Sequence, residues 1–156
     1  MRKNFRSALI AGVFLFGAGL PTATLAFAED ETITPDNAAN PDYMAVKSLV
    51  DAGDYTSALS RLTALDQETP NDPDILNLIG FSLRKTGHPD QALAYYSRAL
   101  AQKPDHLGAN EYLGELYLEL KQPAKAGERL AVLEKACGDC EEYQELKEKI
   151  AQQAAN

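Results

Sequence analysis

The sequence is poor in the residues that build catalytic and metal sites. Its 156 residues include no tryptophan, two cysteines and two histidines. His88 and His106 lie in separate polar turns, where we expect them to be solvated, so the usual full set of zinc ligands cannot assemble. No glycine-rich phosphate loop, nucleophile elbow or paired-histidine motif occurs. We therefore predict that the protein is not an enzyme, has no catalytic residues and holds no metal or cofactor.

Positive charge is also scarce. The chain has 15 Lys and Arg against 23 Asp and Glu, a formal net charge of -8, and no basic block follows the first six residues. A nucleic acid or an anionic membrane surface would be repelled by such a chain. We expect neither as a partner.

Long hydrophobic runs are limited to the N-terminus. Three basic residues precede an apolar run from Ala8 to Leu20, and the small-residue pattern at Ala26 and Ala28 follows. This order is typical of a cleavable signal peptide, here residues 1–28. An uncleaved membrane anchor is the alternative, but the run is shorter than the ~20 residues of a spanning helix. Cleavage would remove three positive charges and change the net charge from -8 to -11.

An internal repeat of 34 residues organises the rest of the chain. It follows a polar segment, residues 29–39, that we predict to be a disordered linker. The offset predicts three repeats, residues 39–72, 73–106 and 107–140. It aligns the following sets: Gly53 with Gly87, Gly80 with Gly114, Pro70 with Pro104, and Ala58 with Ala92 and Ala126.

Each repeat is predicted to contain two helices. In the middle repeat, apolar residues recur at helical spacing before and after a break at Gly87. Prolines mark helix starts because the first turn needs no N–H from them, and Asn40 and Asp72 stand where N-caps are expected. The prolines are Pro41, Pro73, Pro89 and Pro123. Small residues at Gly80, Gly114, Ala92 and Ala126 would let paired helices approach closely.

The middle repeat resembles the tetratricopeptide repeat (TPR) family. The matching residues are Leu76, Ile79, Gly80, Leu83, Gly87, Ala92, Tyr96, Ala99 and Pro104. The resemblance implies an all-α, right-handed helical-hairpin solenoid of three TPR-like repeats. Residues 141–156 are predicted to form a C-terminal capping helix, because one apolar stripe with an otherwise charged surface covers the end of a solenoid.

The TPR resemblance also implies a groove that binds a partner protein. Matched position by position, the groove residues are Tyr43, Lys47, Asn77, Phe81, Arg84, Glu111, Tyr112 and Glu115. The Lys, Asn and Arg clamp that grips a C-terminal carboxylate in well-known family members is not matched here. Glu111 and Glu115 lie one turn apart, as do Glu115 and Glu119, and a basic or mixed-charge partner would relieve their repulsion. A solvated acidic face is the simpler interpretation, and spacing alone leaves Phe81 open as groove or core.

Cys137 and Cys140 are predicted to form a disulfide that braces the turn before the capping helix. Cys137 follows a helix, so it lacks the helix N-terminus that lowers the pKa of a catalytic thiol. A thiol–disulfide enzyme or sensor remains an alternative, and a reduction potential well above about -300 mV would support it.

Together these features predict a periplasmic adaptor that binds a partner protein or peptide in its groove, without inserting into the membrane. A structural subunit of a fixed envelope complex is a further alternative. Salt sensitivity distinguishes the two, because transient ionic contacts are screened. The sequence does not identify the partner, the process or the oligomeric state.

Overall fold

The computed structural model describes residues 35–155, and all regular elements in that range are α-helices. The predicted signal peptide, residues 1–28, lies outside the described residues. The helices are α1 Pro35–Ala38, α2 Pro41–Asp51, α3 Tyr55–Glu68, α4 Pro73–Lys85, α5 Pro89–Gln102, α6 Leu107–Glu119, α7 Pro123–Ala136 and α8 Glu141–Ala154. Among them, no helix is both long and apolar enough to cross a bilayer.

The helices from α2 to α8 stack in chain order. Each packs against the next, and α2 contacts α4, α4 contacts α6, and α6 contacts α8. Each predicted repeat holds one helix pair, and α8 covers the end formed by α6 and α7. The predicted all-α, TPR-like solenoid is confirmed.

Local sequence signals explain where these helices begin. The side chain of Asn40 accepts hydrogen bonds from the N–H groups of Asp42 and Tyr43, and Asp72 accepts from those of Asp74 and Ile75. These bonds satisfy donors that the first turn leaves without helical partners. Prolines occupy the first turn of α2, α4, α5 and α7, as the sequence predicts.

Glycines let large side chains fill the spaces between helices. A Cβ on Gly80 would lie 2.7 Å from the ring of Tyr96, which is fully buried on α5. A Cβ on Gly114 would lie 2.5 Å from the side chain of Leu146 on α8. The nearest atoms at Gly114 therefore belong to the capping helix.

Two predictions about polar segments are wrong. Residues Pro35–Ala38, assigned to a disordered linker, form α1, and Asn37 is buried, donating to Asp72 and Asp74. His106, expected in solvent, is buried, with its Nε2 2.9 Å from Oδ1 of Asp74. Its Nδ1 accepts the N–H of Ala109, so the ring caps α6. Both residues are held by partners distant in sequence. His88 is exposed, as expected.

The turn between α7 and α8 contains the two cysteines. Cys137 ends α7, and a disulfide joins it to Cys140, which immediately precedes α8. Gly138 between them has a φ of +72°, a left-handed conformation that favours glycine. The bridge thus closes a very short loop at the junction with the capping helix.

Candidate functional site

The first helices of the three repeats and α8 form a groove around a cavity of about 350 Å³. Residues from α2, α4 and α6 form its walls, and the N-terminal half of α8 closes one end. The lining residues are Tyr43, Lys47, Val50, Asp51, Asn77, Leu78, Phe81, Gly108, Glu111, Tyr112, Glu141, Glu142 and Glu145.

Six of the eight predicted groove residues line this cavity: Tyr43, Lys47, Asn77, Phe81, Glu111 and Tyr112. The other two, Arg84 and Glu115, line a neighbouring cavity of about 490 Å³ together with residues of α8. The structure therefore brings the predicted residues to one surface, divided between two adjoining depressions.

An aromatic cluster lies at the centre of the groove. The Phe81 ring is 4.7 Å from the Tyr112 ring and 5.8 Å from the Tyr55 ring, measured between centroids. Nζ of Lys85 lies 5.1 Å from the Phe81 centroid. Phe81 is half-buried and lines the cavity, whereas the buried aromatic of the same repeat is Tyr96. Phe81 is thus a groove residue.

An ion-pair network centred on the buried pair of Arg84 and Glu115 connects three of the groove helices. The Arg84 guanidinium lies 2.5 Å from Glu115 and 3.0 Å from Glu119, and its side chain is 4% exposed. Lys149 of α8 bridges Glu115 and Glu145. Burial opposes the charge of Arg84, but the nearby Tyr96, Glu115 and Glu119 outweigh it and raise the pKa of the guanidinium. The repulsion expected between Glu115 and Glu119 is therefore relieved by Arg84 of this chain.

Glu111 is also buried, with 4% of its surface exposed. Burial, followed by the charges of Glu115 and Glu145, raises the pKa of its carboxyl group to about 9. Glu111 therefore carries a proton at neutral pH. The interpretation of a solvated acidic face is wrong for Glu111 and Glu115 and holds for Glu119, which is exposed.

The remaining predicted residues differ in their surroundings. Tyr43 is 3% exposed and belongs to the main core cluster as well as to the cavity wall. Lys47 lies 3.4 Å from Asp51 in a solvent-accessible pair. Asn77 is 5% exposed, and its Oδ1 has no hydrogen-bond partner among residues 35–155. An acceptor buried without a donor is costly, which makes Asn77 a candidate contact for a ligand.

Comparison with known proteins identifies the repeat. Residues 83–150 match the family model described as tetratricopeptide repeat. Residues 83–150 are therefore TPR-like in sequence as well as in fold. Tetratricopeptide repeats form a family of non-enzymatic scaffolds. A search of curated proteins found no match.

Several solved TPR structures share the fold of this chain. The Sgt2 TPR domain from Aspergillus fumigatus has a TM-score of 0.66 and 16% identity, covering 78% of this chain and 81% of that one. The Yersinia enterocolitica type III secretion chaperone SycD, in complex with a peptide of the translocator YopD, has a TM-score of 0.62 and 18% identity, covering 73% of this chain and 87% of that one. YrrB, a TPR protein with an unusual peptide-binding site, has a TM-score of 0.61 and 25% identity, covering 69% of this chain and 55% of that one.

The contribution of α8 to the groove was not predicted from sequence. Glu145 follows Glu111 by 34 residues, and Lys149 follows Glu115 by the same interval. In the solenoid α8 therefore takes the place of the first helix of a fourth repeat, and it presents Glu142, Glu145 and Lys149 to the two cavities. The repeat offset, extended past residue 140, was the available signal.

Proposed function

We propose that this protein is an exported adaptor that binds a peptide segment of a partner protein in the groove of α2, α4, α6 and α8. The observation that carries the proposal is Phe81, a half-buried aromatic side chain lining a cavity rather than filling the core. Central aromatic side chains in partly desolvated depressions are typical binding anchors. The carboxylate clamp of well-known TPR proteins is not matched in this sequence, so the partner segment need not end in a free C-terminus.

The structural neighbours support the choice of a peptide ligand. SycD is described in complex with a peptide of YopD, and YrrB as having a peptide-binding site. A groove of comparable TPR architecture is therefore compatible with peptide binding. The specific ligand of this chain follows from its own side chains, since these neighbours are 25% identical or less.

Export is the second part of the proposal. It rests on the basic start, the apolar run and the small-residue pattern of residues 1–28, and it places the adaptor in the periplasm. Intact-mass analysis of protein from the periplasmic fraction should find a chain beginning at Glu29. A mass that includes residues 1–28 would contradict cleavage and favour an anchored protein.

The binding function is tested in two steps. Crosslinking in intact cells, followed by mass spectrometry, identifies captured proteins, and synthetic peptides covering the crosslinked regions are then titrated against the purified protein. We expect Phe81→Ala to weaken peptide binding by ~2 kcal/mol or more. Met44→Ala on α2 is the matched control, because Met44 is exposed and does not line the cavity.

Circular dichroism and thermal melting show whether Phe81→Ala still folds. Equal affinity of a folded Phe81→Ala variant and the wild type would place binding elsewhere. A complex that survives high salt unchanged and cannot be dissociated would instead favour a fixed structural subunit, because rim-charge contacts are screened.

A further inference from the structure

The groove has an excess of hydrogen-bond acceptors at the end closed by α8. Among the residues that the structure describes, five with carboxyl groups line the cavity, and Lys47 is the one basic residue that does so. Lys47 already lies 3.4 Å from Asp51. Asn77 lines the same cavity and is only 5% exposed. In the part of the chain that the structure describes, no group donates a hydrogen bond to its Oδ1. A ligand that fits here must donate hydrogen bonds.

Three of the acidic residues form a cluster. Carboxylate oxygens of Glu111, Glu115 and Glu145 all lie within 4.8 Å of one another. Glu115 is occupied by Arg84 and Lys149, whereas no basic residue among residues 35–155 forms an ion pair with Glu111. Burial keeps Glu111 protonated at neutral pH instead. The carboxyl group of Glu111 is thus buried without a basic ion-pair partner among the described residues.

The surroundings favour an organic cation over a metal ion. A divalent metal prefers six or more oxygen ligands. Glu115 is already bonded to Arg84 and Lys149, and Lys149 takes Oε2 of Glu145, so the cluster offers too few oxygens for such an ion. A single N–H donor needs only one acceptor oxygen from each carboxyl group. The rings of Phe81 and Tyr112 lie in the same cavity. Aromatic rings pack well against the aliphatic stem of Lys or Arg and attract its charged head.

We propose that the α8 end of the groove binds a single Arg or Lys side chain of the partner peptide. Glu111, Glu145 and Oδ1 of Asn77 accept its hydrogen bonds, and Phe81 packs against its stem. This inference rests on the proposed peptide-binding function and specifies the chemistry of the peptide. Phe81 anchors any ligand, whereas the acidic side chains select a basic one.

Binding of a cation ionises Glu111, because the positive charge replaces the proton, which passes to the buffer. The groups that influence this ionisation come from every surrounding helix. They are Glu115 and Tyr112 on α6, Glu142, Glu145 and Lys149 on α8, Arg84 on α4, and Tyr43 and Lys47 on α2. Affinity for the basic peptide should accordingly rise with pH from neutrality towards pH 9.

The test begins with selection of displayed random peptides on the immobilised mature protein. We expect Arg or Lys to be enriched at one position of the selected peptides. Replacing that residue with citrulline or norleucine should weaken binding about tenfold or more, since a charged hydrogen bond to carboxylates is lost. Glu145→Gln should weaken the basic peptide similarly and leave the neutral analogue unaffected. Glu148→Gln, on the same helix but not lining the cavity, is the matched control.

Calorimetry of the selected peptide in two buffers of different ionisation enthalpy supplies an independent measurement. Wild-type protein should release a fraction of one proton at pH 7.5, and Glu111→Gln should release none. Selected peptides that lack a basic residue, lose affinity on Phe81→Ala and are unaffected by Glu145→Gln would overturn this inference and leave peptide binding intact. Peptides whose affinity does not change on Phe81→Ala would overturn both this inference and the proposed peptide-binding function. Titration of the protein with Ca²⁺ alone completes the test, because tight binding that depends on Glu111 and Glu145 would assign the site to a metal.

Discussion

Single glycines determine how closely the helices pack. Gly80 and Gly127 both lie inside helices, but their surroundings differ. A Cβ on Gly80 would meet the Tyr96 ring at 2.7 Å, whereas a Cβ on Gly127 would meet nothing within 4 Å. The cost of adding one methyl group should therefore have opposite signs at the two positions.

We expect Gly80→Ala to lower the free energy of unfolding by about 1–3 kcal/mol, because the fully buried Tyr96 ring must shift in a packed core. Gly127→Ala should raise it by about 0.5–1 kcal/mol, because alanine is the better helix former. Urea denaturation of both variants and the wild type measures the difference. Equal midpoints for the two variants would contradict the packing of Tyr96 against Gly80.

Burial of Glu111 should make stability depend on pH. The pKa of its carboxyl group is about 9 in the folded protein and 4.5 in a solvated reference. The folded state therefore holds a proton that the unfolded state releases between these values, and wild-type stability should fall as pH rises from about 4.5 to 9. The slope from this one group is at most about 1.4 kcal/mol per pH unit.

Glu111→Gln removes that proton and keeps the shape of the side chain. Its unfolding free energy should match the wild type near pH 4.5 and exceed it increasingly towards pH 9. Urea unfolding from pH 4.5 to 9 measures both curves, and Glu119→Gln, at an exposed position, is the control. Parallel curves for Glu111→Gln and the wild type would show that Glu111 is ionised in the folded state.

At the scale of elements, α8 completes the stack in the way that a fourth repeat would begin. Leu146 is fully buried between α6 and α7, opposite Gly114. The positions that a second helix would cover are polar or small, and three of them, Lys147, Glu148 and Ala151, are exposed. These residues explain why α8 can end the array without exposing an apolar surface.

Neighbouring residues on α8 give a direct test of the capping role. Leu146→Ala should destabilise the protein by about 2–5 kcal/mol, because it leaves a cavity between α6 and α7. Lys147→Ala should change stability by less than about 0.5 kcal/mol, because that side chain is exposed. Thermal unfolding followed by calorimetry measures the stability of both variants and the wild type. A small effect of Leu146→Ala would mean that α8 is only loosely attached.

Much of the fold was predictable because its signals are local. The caps at Asn40 and Asp72, the prolines at helix starts and the repeat interval depend on residues close in sequence. The burial of His106 and Glu111 depends on contacts with Asp74, about one repeat earlier, and Glu145, one repeat later. Polar residues with such distant partners resemble solvated ones in the sequence. The position of Phe81 in the groove likewise required the three-dimensional structure.

At the scale of the whole molecule, one ion-pair network with a buried centre connects successive repeats. A solenoid has contacts only between neighbouring repeats, so its cohesion depends on each interface. Arg84 in the second repeat binds Glu115 and Glu119 in the third, and Glu115 binds Lys149 of α8. Loss of Arg84 would leave Glu115, which is 8% exposed, with Lys149 as its remaining cation. The two interfaces that form the groove should weaken together.

Arg84→Met tests this coupling. We expect it to lower the free energy of unfolding by about 3 kcal/mol or more, because it removes one partner of a buried charge pair. The double variant Arg84→Met with Glu115→Leu should recover most of that loss, since no uncompensated buried charge remains. Arg98→Met is the control, because Arg98 forms a more solvent-accessible pair with Asp66 at 3.5 Å and its loss should cost less than about 1 kcal/mol. Urea unfolding of the wild type, Arg84→Met, Glu115→Leu and the double variant measures the coupling energy. A double variant no more stable than Arg84→Met alone would contradict this coupling. The guanidinium would then contribute through packing with Phe81 and Tyr112 rather than through the charge of Glu115. Its Cζ lies 5.6 Å from the Phe81 ring centroid and 5.8 Å from the Tyr112 ring centroid.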